Sequence, residues 1–161
     1  MIRDALDSDF PALLALNQES VAFLSPLDLA GLRRLHGQAA WHRVVEIDGE
    51  VAAFLLALRE GADYASPNYR WFSENFPQFL YVDRVVVSSA FQGRGLGRQL
   101  YDALFAWARA QGFERIACEF DVEPPNEASR RFHAAYGFRE VGSQLVADGK
   151  KRVSLQVAPV A

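Results

Sequence analysis

The sequence predicts a mixed α/β fold, on three observations. Apolar, strand-like runs recur at 44–47, 51–58, 79–87 and 115–121. Between them lie segments whose apolar residues repeat at helical spacing, most plainly Leu96, Leu100, Leu104, Trp107 and Ala108. Asp-Gly pairs at Asp48-Gly49 and Asp148-Gly149 separate strand-like runs, as tight turns do.

The elements follow in order. Residues 2–6 read as a short first strand. Ser8 is a candidate cap for a helix reaching to about Phe23, with Leu13, Leu16, Ser20 and Phe23 on one stripe. Pro26 breaks that helix, and 27–36 reads as a second. Residues 44–47 and 51–58 form a hairpin. Residues 60–77 read as a long loop rich in aromatics: Tyr64, Tyr69, Trp71, Phe72 and Phe76. In the strand at 79–87, Asp83, Val85 and Val87 share one face and Arg84 and Val86 the other. A helix of about four turns follows from Leu96, and Gly112 ends it. In the strand at 115–121, Ile116, Cys118 and Phe120 oppose Ala117, Glu119 and Asp121. Pro124-Pro125 stops it. Asn126 caps a helix to Tyr136, closed by Gly137, and two more strands complete the chain at 138–146 and 151–157.

Composition narrows the function. The 161 residues suit one domain, 1–161, with a sizeable core. A net charge of −3 lacks the basic balance of a nucleic-acid binder. The longest apolar run, 51–58, is too short to span a bilayer, so no membrane partner is expected. The start, Met1-Ile2-Arg3-Asp4, lacks a signal-peptide pattern. The lone Cys118 excludes an internal disulfide and fits a reducing compartment, so a cytoplasmic location is expected. His36 and His42 have no metal-ligand partners at useful spacing, so no metal is expected and both read as structural.

The most informative segment is Gln92-Gly93-Arg94-Gly95-Leu96-Gly97. It joins an apolar strand, Val85-Val86-Val87, to a helix start. Glycines at alternate positions let backbone approach a ligand, and a helix start directs unpaired N–H groups at it. That suits a pyrophosphate. The Gly-Lys-Ser/Thr ending of a nucleoside-triphosphate loop is missing, and the spacing differs from a dinucleotide fingerprint.

With a second motif, Asn126-Glu127-Ala128-Ser129-Arg130-Arg131-Phe132-His133-Ala134-Ala135-Tyr136-Gly137-Phe138, the chain resembles the GNAT superfamily of acetyl-CoA-dependent N-acetyltransferases. The family signature is Gln/Arg-x-x-Gly-x-Gly/Ala between strand and helix, followed later by an Asn-led helix ending in Gly-Phe. The resemblance implies a mostly antiparallel central sheet with helices on both faces. It also implies a CoA cleft beside the strand ending at Val87. Backbone groups of Val85, Val86 and Val87 would pair with pantetheine like an added strand. The N–H groups of Gln92, Gly93, Arg94, Gly95, Leu96 and Gly97 would hold the pyrophosphate, with Arg94 or Arg98 adding charge. Asn126 would bond the pantetheine, with Ser129 and His133 in the same groove.

Acetyl transfer needs an unprotonated amine, a donor for the oxyanion and a tolerable thiolate leaving group. The resemblance implies Val87 N–H as oxyanion donor. The family's usual acid is a tyrosine four residues before the Gly of Gly-Phe, and here that position is His133. His133 either donates a proton to sulfur or only packs against the cofactor. Tyr136 reads as core. Asp83 ranks first as the base or amine-binding carboxylate and Glu119 second; either is alternatively an ion-paired or structural side chain. The family's acceptor pocket maps onto residues 17–27 and 64–79. The aromatic loop there either covers a small amine or amino acid, packs its own rings, or forms a homodimer contact. The competing functions are acetylation of protein N-termini or lysines and acyl-CoA binding without turnover.

Overall fold

A computed structural model describes residues 1–22, 24–123 and 125–160. Its elements are β1 (Ile2–Asp4), α1 (Phe10–Glu19), α2 (Leu29–Gln38), β2 (Trp41–Ile47), β3 (Glu50–Arg59), α3 (Pro67–Asn75), β4 (Leu80–Val87), α4 (Leu96–Gln111), β5 (Arg115–Glu123), α5 (Glu127–Ala134), β6 (Arg139–Val146) and β7 (Lys151–Pro159). The strands form one seven-stranded open sheet in the order β1-β2-β3-β4-β5-β7-β6. Every pairing described is antiparallel except β4 with β5. This is the mixed, mostly antiparallel α/β fold that the sequence predicts.

The contacts divide the chain into two compact units. The first is Met1–Leu58 with Val82–Trp107. Its meander pairs Ile2 with Val45 and Val44 with Phe54, and the hairpin turns at Asp48, whose φ is 52°. Residues 52–58 are all buried, which is why that run is continuously apolar rather than alternating. Phe10, Leu13 and Leu16 of α1 and Leu32 and Leu35 of α2 are buried too.

The second unit is Arg59–Tyr81 with Ala108–Ala161. Leu80 and Tyr81 pair in parallel with Ile116 and Ala117, and β7 pairs antiparallel with both β5 and β6. In α5, His133 is buried while the charged residues face water.

Several expectations need correction. The helix start is not capped by Ser8. A 3-10 turn spans Asp7–Asp9, and the Asp9 carboxylate accepts from Leu6 N–H at 2.8 Å while holding Arg3 at 2.7 and 2.8 Å. An acid that takes both a backbone donor and a guanidinium outcompetes a hydroxyl. The expected loop at 60–77 contains α3. Pro67 stands in its first turn, where its missing N–H costs no helical bond, and Tyr69, Phe72 and Phe76 recur at helical spacing. Tyr136 is half-buried against Phe132, with centroids 5.4 Å apart, rather than part of the core. Phe23 and Pro124, used above as a helix end and a strand stop, lie outside the described residues.

Candidate active site

The glycine turn belongs to the first unit. Gly93 and Gly95 have φ of 80° and 74°, a region that side chains with a Cβ disfavour. Gly97 lies inside α4. The Gln92 amide donates to Val87 O at 3.1 Å, tying the turn to the end of β4. The first helical bond runs from Gln99 N to Gly95 O at 3.0 Å. The N–H groups of Gly93, Arg94, Gly95, Leu96 and Gly97 donate to no group among the described residues. Gly93, Arg94 and Gly95 are exposed. Free N–H groups leading into a 16-residue helix are an arrangement that suits an anion. The Arg94 guanidinium lies over the Phe91 ring, 5.1 Å from its centroid. Arg98 is exposed in the first turn of α4. Val85 and Val87 are half-buried and Val86 is buried, as strand alternation requires.

In the same unit Asp83 and Arg84 form a buried ion pair at 2.6 Å, each side chain 3% exposed. The guanidinium also donates to Asn17 Oδ1 at 2.8 Å and Ser25 Oγ at 3.2 Å. Asn17 in turn donates to Ser25 O at 3.1 Å. Residues assigned from the family pattern to the acceptor pocket, Asn17 and Ser25, thus hold Arg84.

The second unit carries the Asn-led helix. Asn126 Oδ1 accepts from Ser129 N–H at 3.2 Å, the capping bond expected. Asn126 Nδ2 has no partner among the described residues, so capping uses only the oxygen end of that amide. His133 Nδ1 lies 2.7 Å from Ser129 O and 3.2 Å from Ser129 Oγ. A carbonyl can only accept, so Nδ1 carries the proton, and in the neutral ring Nε2 has none. Burial pushes the imidazole below its usual range, against the opposing hydrogen bond to Ser129. Phe120, Phe132 and Phe138 surround the ring with centroids 5.7, 5.4 and 5.2 Å away. This geometry favours packing over proton donation.

Glu119 leaves β5 on the face away from Phe120. Its Oε1 accepts from Tyr81 Oη at 2.8 Å and from Asn68 Nδ2 at 3.0 Å, and its Oε2 lies 2.9 Å from Tyr81 Oη. Asn68 Oδ1 accepts from Gln144 Nε2 at 2.7 Å. Sequence reasoning missed all three partners. Tyr81 was accessible from its alternation with Asp83, and Asn68 from the helix start at Pro67. Gln144, one polar residue on an edge strand, carries no signal. The aromatic segment packs on itself and on β4: Tyr69 and Phe72 lie 5.6 and 5.8 Å from Tyr81, and Trp71 is 5.3 Å from Phe72.

Among the described residues, no group of three metal-ligating side chains comes together, and no helix is long and apolar enough to cross a membrane.

Comparison with known proteins agrees with this geometry. A model of the acetyltransferase (GNAT) family matches residues 2–138. The L-methionine sulfoximine/L-methionine sulfone acetyltransferase of Pseudomonas aeruginosa is 32% identical over 158 residues, covering 93% of this chain and 86% of its own. The crystal structure of Ard1 from Thermoplasma volcanium aligns with a TM-score of 0.81 at 18% identity, over 100% of this chain and 97% of that one. The structure of yncA from Salmonella typhimurium with its cofactor acetyl-CoA aligns at 0.73 and 22% identity, over 100% and 94%. At these identities the two structures speak for the fold.

Proposed function

The chain belongs to the GNAT acetyltransferase family and is an N-acetyltransferase, and from that premise we propose that it moves an acetyl group from acetyl-CoA directly to the primary amine of a small amine or amino acid. The observation that supports the co-substrate is the row of five N–H groups from Gly93 to Gly97 that have no partner among the described residues. A pyrophosphate there would meet backbone donors and the helix dipole together. The backbone of Val85, Val86 and Val87 takes the pantetheine arm. The family pattern assigns Asn126 to the pantetheine, and capping leaves its Nδ2 group without a partner among the described residues. Arg94 and Arg98 add positive charge near the phosphates.

In the transfer, the amine nitrogen attacks the thioester carbonyl carbon. The C–N bond forms, the C–S bond breaks, and a proton lost by the amine nitrogen ends on sulfur, so that CoA departs as the thiol. Val87 N–H is the donor proposed for the oxyanion. Asp83 already balances Arg84, so its role as a base requires the pair to open. His133, enclosed by aromatic rings with its neutral-state proton directed at Ser129 O, packs rather than protonating sulfur. The small acceptor is supported by the relative named for methionine sulfoximine and methionine sulfone, both amino acids. A single functional domain is proposed, since β4 and α4 each contribute residues to both units. The lone, buried Cys118 supports a reducing compartment.

Calorimetry with acetyl-CoA tests the placement. Gly95→Asp should weaken binding at least about tenfold, because the carboxylate would stand against the pyrophosphate. Gly95→Ala separates charge from strain: the new Cβ meets nothing within 4 Å, leaving only the positive φ of 74°. Unchanged affinity in Gly95→Asp would overturn the placement. Release of free CoA, measured with L-methionine sulfone, simple alkylamines and short peptides, tests the acceptor. Faster release with peptides than with amino acids would overturn the small-molecule reading.

A further inference from the structure

The proposed reaction brings an amine to an acetyl group held along Val85, Val86 and Val87. Whatever chain is fastened around those residues bears on where the amine sits. Residues 20–28 join α1 to α2, and ties to β4 and to the turn after it bracket the three valines. Both ties lie within the first unit.

The first tie is made by the buried Arg84. Its guanidinium donates to Asn17 Oδ1 at 2.8 Å and to Ser25 Oγ at 3.2 Å. Asn17, buried on α1, donates in turn to Ser25 O at 3.1 Å. One side chain of β4 thus grips both the end of α1 and the connection that follows it. The second tie stands at the surface. Glu19 Oε1 accepts from Ser89 N–H at 3.0 Å. Ser89 lies two residues past Val87, in the 3-10 turn Ser89–Phe91 that leads to the glycine turn. Inside the connection, Leu24 N–H donates to Ser20 O at 3.1 Å.

Strand geometry gives the ties a direction. Backbone groups bond through the edges of a strand, and side chains leave through its faces. Ser88 N–H meets Ala52 O of β3 at 2.8 Å. Arg84, Val86 and Ser88 share a face and are all buried. The Arg84 tie leaves β4 through that face, whereas pantetheine would pair along the backbone edge. A segment held in place before its ligand arrives also costs less to order when the ligand binds.

We propose that Arg84, Asn17, Ser25 and Glu19 are positioning residues that hold the α1–α2 connection beside the acetyl group, as the wall against which the amine is seated. The assignment rests on the amine-acetylating function proposed above and deepens it.

Glu19 and Ser25 are exposed, so their substitution spares the core. The wall is tested by three measurements: steady-state kinetics, calorimetry of acetyl-CoA, and hydrogen exchange at residues 20–28. The amine is L-methionine sulfone, or the alkylamine or short peptide that turns over faster. Glu19→Ala and Ser25→Ala should each raise KM for the amine about two- to tenfold, the range of one ordinary hydrogen bond. Their kcat should stay within about twofold of wild type, with affinity for acetyl-CoA unchanged. Exchange at 20–28 should quicken by a similar factor. Glu19→Gln keeps an oxygen for Ser89 N–H and should restore both KM and exchange. Quickened exchange with an unaltered KM would make the ties purely structural and overturn the proposal. A raised KM that Glu19→Gln does not restore would overturn it too, as would a parallel loss of acetyl-CoA affinity. Absence of CoA release by the wild-type chain with all of these amines would overturn the acetylating function, and the role of the wall with it. Exchange at 20–28 would still register the ties in that case, which tells the two failures apart.

Discussion

Asp83 on β4 and Glu119 on β5 are both carboxylates ranked as candidates by the sequence, yet their surroundings differ in kind. Asp83 meets a guanidinium at 2.6 Å in a pocket where both side chains are 3% exposed. Glu119 meets a phenol and a carboxamide. The first environment cancels charge and uses it to fasten Asn17 and Ser25 through Arg84. The second fastens its carboxylate to α3 and β4 through hydrogen bonds. Residue type and strand alternation nominate both side chains alike. The printed partners separate the two: a guanidinium beside Asp83, a phenol and a carboxamide beside Glu119.

Removing the cation is the strongest way to break this comparison. Arg84→Ala leaves Asp83 and Asn17 buried without their shared partner, and should cost about 3–5 kcal/mol in urea unfolding. Glu119→Gln should shift the same transition by less than about 1 kcal/mol. Equal losses would mean that the two carboxylates serve the same structural end.

A buried titratable group with poor compensation gives the next effect. His42 is 7% exposed and its Nε2 is buried without a partner in the described structure. Its Nδ1 faces His36 Nδ1 at 2.8 Å, and Phe10 and Phe54 lie close in the same unit. Burial, reinforced by His36 and opposed by Asp9, lowers the imidazole from 6.5 to about 4. The unfolded chain therefore takes up this proton first as pH falls. Stability contributed by neutral His42 is full above pH 6.5 and declines by about 3 kcal/mol towards pH 4. His42→Leu should flatten that slope in unfolding curves measured between pH 7 and 4; an unchanged slope would assign it to other groups.

The smallest effect sharpens the Glu119 side. Tyr81→Phe removes one hydroxyl and keeps the ring against Tyr69 and Phe72. It should lower thermal stability by about 1 kcal/mol, the value of an ordinary hydrogen bond. A loss of several kcal/mol would mean that the phenol supports the core rather than the carboxylate.

Much of the fold was legible because its signals are local. The Asp48-Gly49 turn, the buried run at 52–58 and the stripe of Leu96, Leu100 and Leu104 each depend on neighbours in sequence. The helix α3 was missed because its aromatic content drew attention from Pro67, although the spacing of Tyr69, Phe72 and Phe76 was present. The glycine turn was legible for the same reason as the hairpin: its conformation is set by two positive-φ glycines and a helix start within six residues. The roles of Asp83, Glu119 and His133 were not, since each depends on what long-range packing places beside the side chain.

By itself, the sequence determined the fold class, the glycine turn before α4 and the Asn126 cap. Tertiary structure decided which carboxylate is neutralised by Arg84 and which is held by Tyr81 and Asn68. It also decided that His133 gives its one neutral-state proton to Ser129 O. The physical reason is that charge, burial and hydrogen-bond direction depend on partners up to 76 positions away, as in the bond from Gln144 to Asn68. No local pattern records such a pairing.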